Sequence, residues 1–156
     1  MTEHGFTRSD ADHAVYHTDK LIVAIYIDDL IIAGKGLKGV NEIKHQLAQS
    51  FKMSDLGDIK VCLGIQIERD RKNRTLTISQ PKYAQKILNR FKMADSKPIA
   101  TPIEPGASTE SEEPADKVQY QQAVGSLMYL MLGTRPDIAF AVGYLGRFSA
   151  APNAAH

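Results

Sequence analysis

A single cysteine, Cys62, is too few for an intramolecular disulfide, which suits a reducing compartment and makes that residue a small apolar side chain before anything else. No apolar run approaches the roughly 18 residues that a membrane-spanning helix needs, and residues 1–12 are polar and charged where a secretory signal would be basic and then apolar. A non-secreted protein with no membrane partner, cytoplasmic or nuclear, is expected. Neither sign of charge is in excess: 19 Lys and Arg face 18 Asp and Glu, a formal net charge of +1, so the overall balance points to no class of partner. The histidines, His4, His13, His17, His45 and His156, are not spaced with Cys or carboxylates as zinc ligands are. With 156 residues, the chain is one domain or two small lobes, burying about two thirds of its unfolded surface.

What stands out against this ordinary composition is a pair of carboxylates. Leu21 to Ile27 and Leu30 to Ala33 are apolar runs, largely β-branched, and Asp28-Asp29 separates them. A strand apolar on both faces reads as buried. An isolated ionised carboxylate inside it would cost several kcal/mol, so Asp28 and Asp29 are expected at a tight turn between two strands. Neighbouring carboxylates at a hairpin tip are the oxygen donors that Mg²⁺ or Mn²⁺ favours. Asp is also a frequent turn residue with no further role. Both readings stand on the pair alone.

Ala14 to Thr18 pairs as a further strand with Leu21 to Ile27 across Asp19-Lys20, giving a three-stranded meander. Val40, Ile43, Leu47 and Phe51 then recur at helical spacing and predict a helix covering one sheet face. Val61 to Glu68 and Leu76 to Ser79 predict a second hairpin across Lys72-Asn73-Arg74. Ser79 is a suitable cap, with Pro81 in the first turn, for a helix whose apolar stripe is Tyr83, Ala84, Ile87, Leu88 and Phe91. Between Arg69 and Lys92 lie eight basic residues and one acid, Asp70. Lys82, Lys86 and Arg90, at i, i+4 and i+8, fall on one helix face, which is either a solvated face or a track for a phosphate backbone. From Lys97 to Asp116 the chain is rich in Pro, Ser, Thr and Glu and poor in apolar residues, so it reads as a mobile linker. Val118 to Leu132 and Ile138 to Phe148 then form a helical hairpin, with Thr134 able to cap and Pro136 in a first turn. Met128, Tyr129, Met131 and Tyr144 are read as core. The fold expected is α+β: an antiparallel meander covered by helices, a second hairpin and a C-terminal helical hairpin.

Tyr26-Ile27-Asp28-Asp29 followed by Leu30-Ile31-Ile32-Ala33-Gly34 resembles the active-site hairpin of reverse transcriptases, in particular those of copia-type LTR retrotransposons. Phe51-Lys52-Met53-Ser54-Asp55-Leu56-Gly57, Leu63-Gly64-Ile65-Gln66-Ile67, Ile78-Ser79-Gln80 with Tyr83, and Ile87-Leu88 resemble successive blocks of that family in order. So do Thr101-Pro102, Val124 to Leu130, Thr134 to Ile138, Arg147-Phe148, Pro152 and His156. Cys62 stands where the family usually has an aromatic, and Gly146 where it has Ser. The likeness begins at Gly5-Phe6-Thr7-Arg8-Ser9, downstream of the start of such polymerases, so the fingers and the first half of the palm are expected to be missing.

The resemblance implies an RNA-directed DNA polymerase acting by two-metal nucleotidyl transfer, with Asp28 and Asp29 as catalytic, metal-binding carboxylates beside Tyr26 and Ile27. It implies a primer-grip-like hairpin in which Leu63, Gly64, Arg71, Lys72 and Arg74, with Lys82, Lys86 and Arg90 of the next helix, hold an RNA/DNA primer-template duplex. A third Asp of the family cage has no counterpart here, so the chain alone is expected to bind Mg²⁺ or Mn²⁺ weakly and to be inactive. Its missing N-terminal half would come in trans or from a longer polyprotein. The divisions expected are 1–59 (partial palm), 60–94 (primer-grip-like hairpin and basic helix), 95–117 (flexible acidic linker) and 118–156 (start of the connection). The alternative is a repurposed, non-catalytic interaction protein. An uncovered sheet around Leu21 to Ile32 would then pair with another copy, and a homo-oligomer is expected in either case.

Overall fold

Alternating side chains on short strands, a helix with one apolar stripe and a turn of two residues account for most of the N-terminal part of the chain. The computed structural model describes residues 1–104, 106 and 108–156; positions 105 and 107, within the stretch expected as a linker, lie outside the described residues. It is an α+β structure with one four-stranded and one three-stranded antiparallel sheet, divided into two compact units, Met1–Ile59 and Lys60–His156.

In the first unit, β1 (Thr7–Arg8), β2 (Val15–His17), β3 (Leu21–Tyr26) and β4 (Asp29–Gly34) lie side by side in chain order, one strand more than the predicted meander. Tyr16, Val23 and Ile32 are in cross-strand register. They face α1 (Leu37–Ser50), whose Ile43 and Leu47 close a core with Phe6 and Val23. Val40 and the stripe end as expected, except that Phe51 leaves the helix with an extended backbone and stays exposed. The prediction that β3 is buried on both faces is corrected. One helix covers one face, and on the other Ile22 and Tyr26 are each 52% exposed.

In the second unit, the strand predicted over Val61 to Glu68 is two strands. β5 (Val61–Cys62) folds onto β6 (Ile65–Asp70) through a two-residue turn at Leu63-Gly64, and β6 pairs with β7 (Thr75–Ser79). Ser79 remains in the ladder opposite Gln66, so it cannot cap. The N-cap of α2 (Pro81–Arg90) is Gln80, which makes no side-chain cap bond. α3 (Lys117–Gly133) is capped instead by Asp116, which accepts hydrogen bonds from the backbone N–H groups of Val118 and Gln119 at 2.9 and 3.1 Å. Thr134, a predicted cap, ends α3 and donates its hydroxyl to Gln80 Oε1 at 3.0 Å. The buried Gln80 amide lies so close to Gly133 that a Cβ there would require it to shift. A 3₁₀ turn at Pro136–Ile138 leads into α4 (Ala139–Gly146), and Val124, Leu130, Ala141 and Val142 are buried in this unit.

Met128 and Tyr129, read as core, are 41% and 47% exposed; α3 is apolar around its circumference, but its neighbours within the unit cover only part of it. Toward the end of the stretch expected as a linker, Asn153 Nδ2 donates to the carbonyls of Thr109 and Ser111 at 2.9 and 3.1 Å. Ala154 N–H bonds Glu113 at 2.8 Å and Ala115 N–H bonds Pro152 at 3.2 Å.

Candidate functional site

The tip of the first hairpin is set by register. Tyr26 pairs with Asp29, so the two turn residues are Ile27 and Asp28, and Asp29 is the first residue of β4. The expectation that Asp28 and Asp29 together make the turn is corrected by one position. Ile27 takes φ +53, a left-handed conformation that costs a β-branched residue about 1–2 kcal/mol, and its side chain is solvent-exposed. The two carboxylates therefore differ in footing. Asp28 rides on the turn, while Asp29 is fixed by the ladder on the same outward face as Tyr26. Both are exposed, and among the described residues neither is paired with a cation.

Adjacent, unpaired carboxylates fit a hard divalent cation, which takes oxygen ligands. Among the described residues no group of three or more His, Cys, Asp and Glu converges as a metal cage. Asp12, one of the acids near the hairpin, is taken up locally, accepting from Ala14 N–H at 2.9 Å.

In the second unit, Leu63 and Gly64 have φ +49 and +80 between the paired residues Cys62 and Ile65. Two successive left-handed residues are the pattern of a type I′ turn, which favours Asn-Gly and penalises a leucine. Half of the Leu63 side chain is exposed, so core packing does not select it. The carbonyl of Leu63 accepts a hydrogen bond from the Tyr129 hydroxyl of α3 at 2.8 Å. The Tyr129 ring meets Tyr83 of α2 edge to face, with centroids 4.8 Å apart, and the Tyr83 hydroxyl donates to the carbonyl of Ser126 at 3.4 Å. The partner of Tyr129 lies 66 residues away, and no local pattern announces this contact.

Arg71, Lys72 and Arg74 stand on the loop between β6 and β7, all exposed, with Arg74 at φ +55. Asp70, the one acid of the basic tract, is turned into that loop. It accepts from the backbone N–H groups of Lys72 and Asn73 at 2.8 and 3.0 Å and from the Asn73 amide at 2.6 Å. The Asn73 backbone N–H, then its side-chain amide, hold the Asp70 carboxyl below the usual carboxylate range. Lys82, Lys86 and Arg90 are exposed along one face of α2, whose Ile87 is buried. Arg90 donates to Gln122 Oε1 at 2.8 Å and sits 5.5 Å from the Phe91 ring, contacts that orient the guanidinium without neutralising it. The structure thus gathers the predicted basic residues in the second unit and the predicted carboxylates in the first.

Residues 1–105 match the model of a family described as reverse transcriptase (RNA-dependent DNA polymerase). The whole chain is 38% identical, over 170 aligned residues, to the retrovirus-related Pol polyprotein from transposon TNT 1-94 of Nicotiana tabacum, covering 13% of that polyprotein. Over 124 residues it is 38% identical to an uncharacterized mitochondrial protein of Arabidopsis thaliana, covering 78% of the chain and 50% of the relative. Over 159 residues it is 31% identical to a transposon Ty5-1 protein of Saccharomyces cerevisiae, covering 97% of the chain and 51% of the relative. The chain spans about half the length, or much less, of these curated relatives. No solved structure matches it.

Proposed function

The chain belongs to the reverse transcriptase family, as a fragment of a copia-type retrotransposon polymerase, and from that premise we propose that it supplies the carboxylate hairpin and the duplex-holding surface of an RNA-directed DNA polymerase. In this reading Asp28 and Asp29 hold Mg²⁺ or Mn²⁺, with Tyr26 and Ile27 shaping the tip. The observation that carries it is the tip itself: two adjacent exposed carboxylates with no cation partner among the described residues. A divalent cation bound there would neutralise charge on the transferring nucleotide. Asp29, fixed in the ladder, would give the anchored ligand, and Asp28 on the turn the adjustable one.

The duplex would lie on the second unit. Leu63 and Gly64 would meet it with the turn, Arg71, Lys72 and Arg74 with the loop, and Lys82, Lys86 and Arg90 with a line of cations at phosphate oxygens. Residues 1–59 would carry the chemistry and 60–94 the duplex, with 118–156 as support beyond a linker over 95–117. The remaining carboxylate and the nucleotide-binding part would come from a longer polyprotein, in cis or in trans.

Primer extension on an RNA template with a DNA primer and Mg²⁺ or Mn²⁺ tests this. The 156-residue chain alone is expected to give no product. Joined to the upstream polymerase segment it is expected to extend the primer, with Asp28→Asn lowering the rate roughly 10²-fold or more. Full extension by the joined Asp28→Asn protein would remove the hairpin from the chemistry.

The outward face of β3 and the edge of β4, with Ile22 and Tyr26 half-exposed, favour coverage by another chain. Without the upstream segment, a second copy is the available cover. Light scattering at micromolar concentration is expected to give a dimer or larger species, and a monomeric mass would end the self-association reading.

A further inference from the structure

Resting on the duplex-holding reading above, we infer that Tyr129 is a positioning residue whose hydroxyl sets the Leu63–Gly64 turn in the shape that meets the nucleic acid. Both turn residues are left-handed, and one of them is a leucine, so the local sequence does not favour the conformation it adopts. The leucine side chain is half in solvent and is not kept for burial. A turn held against its own preference, presenting an exposed apolar side chain, needs restraint from outside.

Tyr129 supplies that restraint. Its hydroxyl donates to the Leu63 carbonyl at 2.8 Å, and an added Cβ at Gly64 would stand 3.5 Å from the same oxygen, so the contact addresses both residues of the turn. The ring is itself 47% exposed and therefore contributes little to a core. The edge-to-face contact with Tyr83 fixes the ring's direction. α2, which bears Lys82, Lys86 and Arg90, and the turn are thereby registered through the same aromatic pair. A duplex resting on the cations then meets a turn whose position relative to them is set by the Tyr129–Tyr83 pair.

The test is a double-mutant cycle in the full chain, read by fluorescence anisotropy of a labelled RNA–DNA primer-template duplex. Tyr129→Phe removes only the hydroxyl and is expected to weaken binding about fivefold, the value of one hydrogen bond, with the salt dependence unchanged because no phosphate contact is lost. In the Leu63→Asn background the turn reaches its left-handed shape unaided, and there Tyr129→Phe is expected to cost less than about twofold. A purely structural tyrosine would cost the same in both backgrounds, and that result overturns the inference. So does Tyr129→Phe binding as tightly as the parent, which leaves the duplex reading intact. Absence of salt-sensitive binding by the parent chain itself is the distinct outcome in which the duplex reading fails and takes the inference with it.

Discussion

Leu47→Ala is expected to lower the stability of the N-terminal unit by about 3–5 kcal/mol. Leu47 is 2% exposed and, with Val23, one of the two largest fully buried side chains. It packs in a core of only four buried residues, with Phe6, Val23 and Ile43. A unit of residues 1–59 is small enough that folding buries only about 60% of its surface, so a single cavity removes a large share of a total near 5 kcal/mol. The surrounding side chains sit on a sheet whose register is fixed on both sides of Val23 and cannot collapse onto the missing atoms. Hydrogen exchange at the β3 and β4 amides should quicken by about two to almost four orders of magnitude, at about 1.4 kcal/mol per tenfold. Ile22→Ala, on the exposed face of the same strand, should cost under about 1 kcal/mol. Equal effects at the two positions would mean that α1 does not hold this sheet.

Replacing Lys82, Lys86 and Arg90 together by alanine is expected to flatten the dependence of log Kobs on log salt by about two to three units. Between 50 and 200 mM salt the parent should therefore lose roughly 15- to 60-fold more affinity than the variant does. The three side chains are exposed, and among the described residues only Arg90 has a side-chain hydrogen-bond partner, Gln122, so folding stability should change by less than about 0.5 kcal/mol. Asp70, the one acid between Arg69 and Lys92, is tied to the Lys72–Asn73 backbone. A parental slope retained in the variant would make this a merely solvated face.

Much of this was legible in the sequence where signals are local and periodic. Continuous, β-branched apolar runs placed β3 and β4 around the acidic pair, the 3.6-residue recurrence placed α1 on Ile43 and Leu47, and the ordered blocks indicated the family. What escaped depends on long-range contacts or unfavourable dihedrals. The turn at Ile27-Asp28 requires a β-branched residue to go left-handed, and nothing in a propensity argument asks for that. The break at Leu63-Gly64 requires the same of a leucine, so Val61 to Glu68 read as one strand. Ser79 lost its cap role because pairing with Gln66 holds it in the ladder. Tyr129 looked like core because an apolar helix reads the same whether or not all its sides are covered. Composition alone also gives no sign that Asn153 hydrogen-bonds the carbonyls of Thr109 and Ser111, 44 and 42 residues away.

That asparagine has a consequence for the order of events at the ribosome. Synthesis runs from the N-terminus, so residues 109–116 leave the exit tunnel while Asn153, separated from Thr109 by 44 positions and from Ser111 by 42, has yet to be made. α3 and α4 must be translated, and must turn back on each other, before its amide can reach the Thr109 and Ser111 carbonyls. The acidic segment is thus the first part of that arrangement to be born and the last to be fastened.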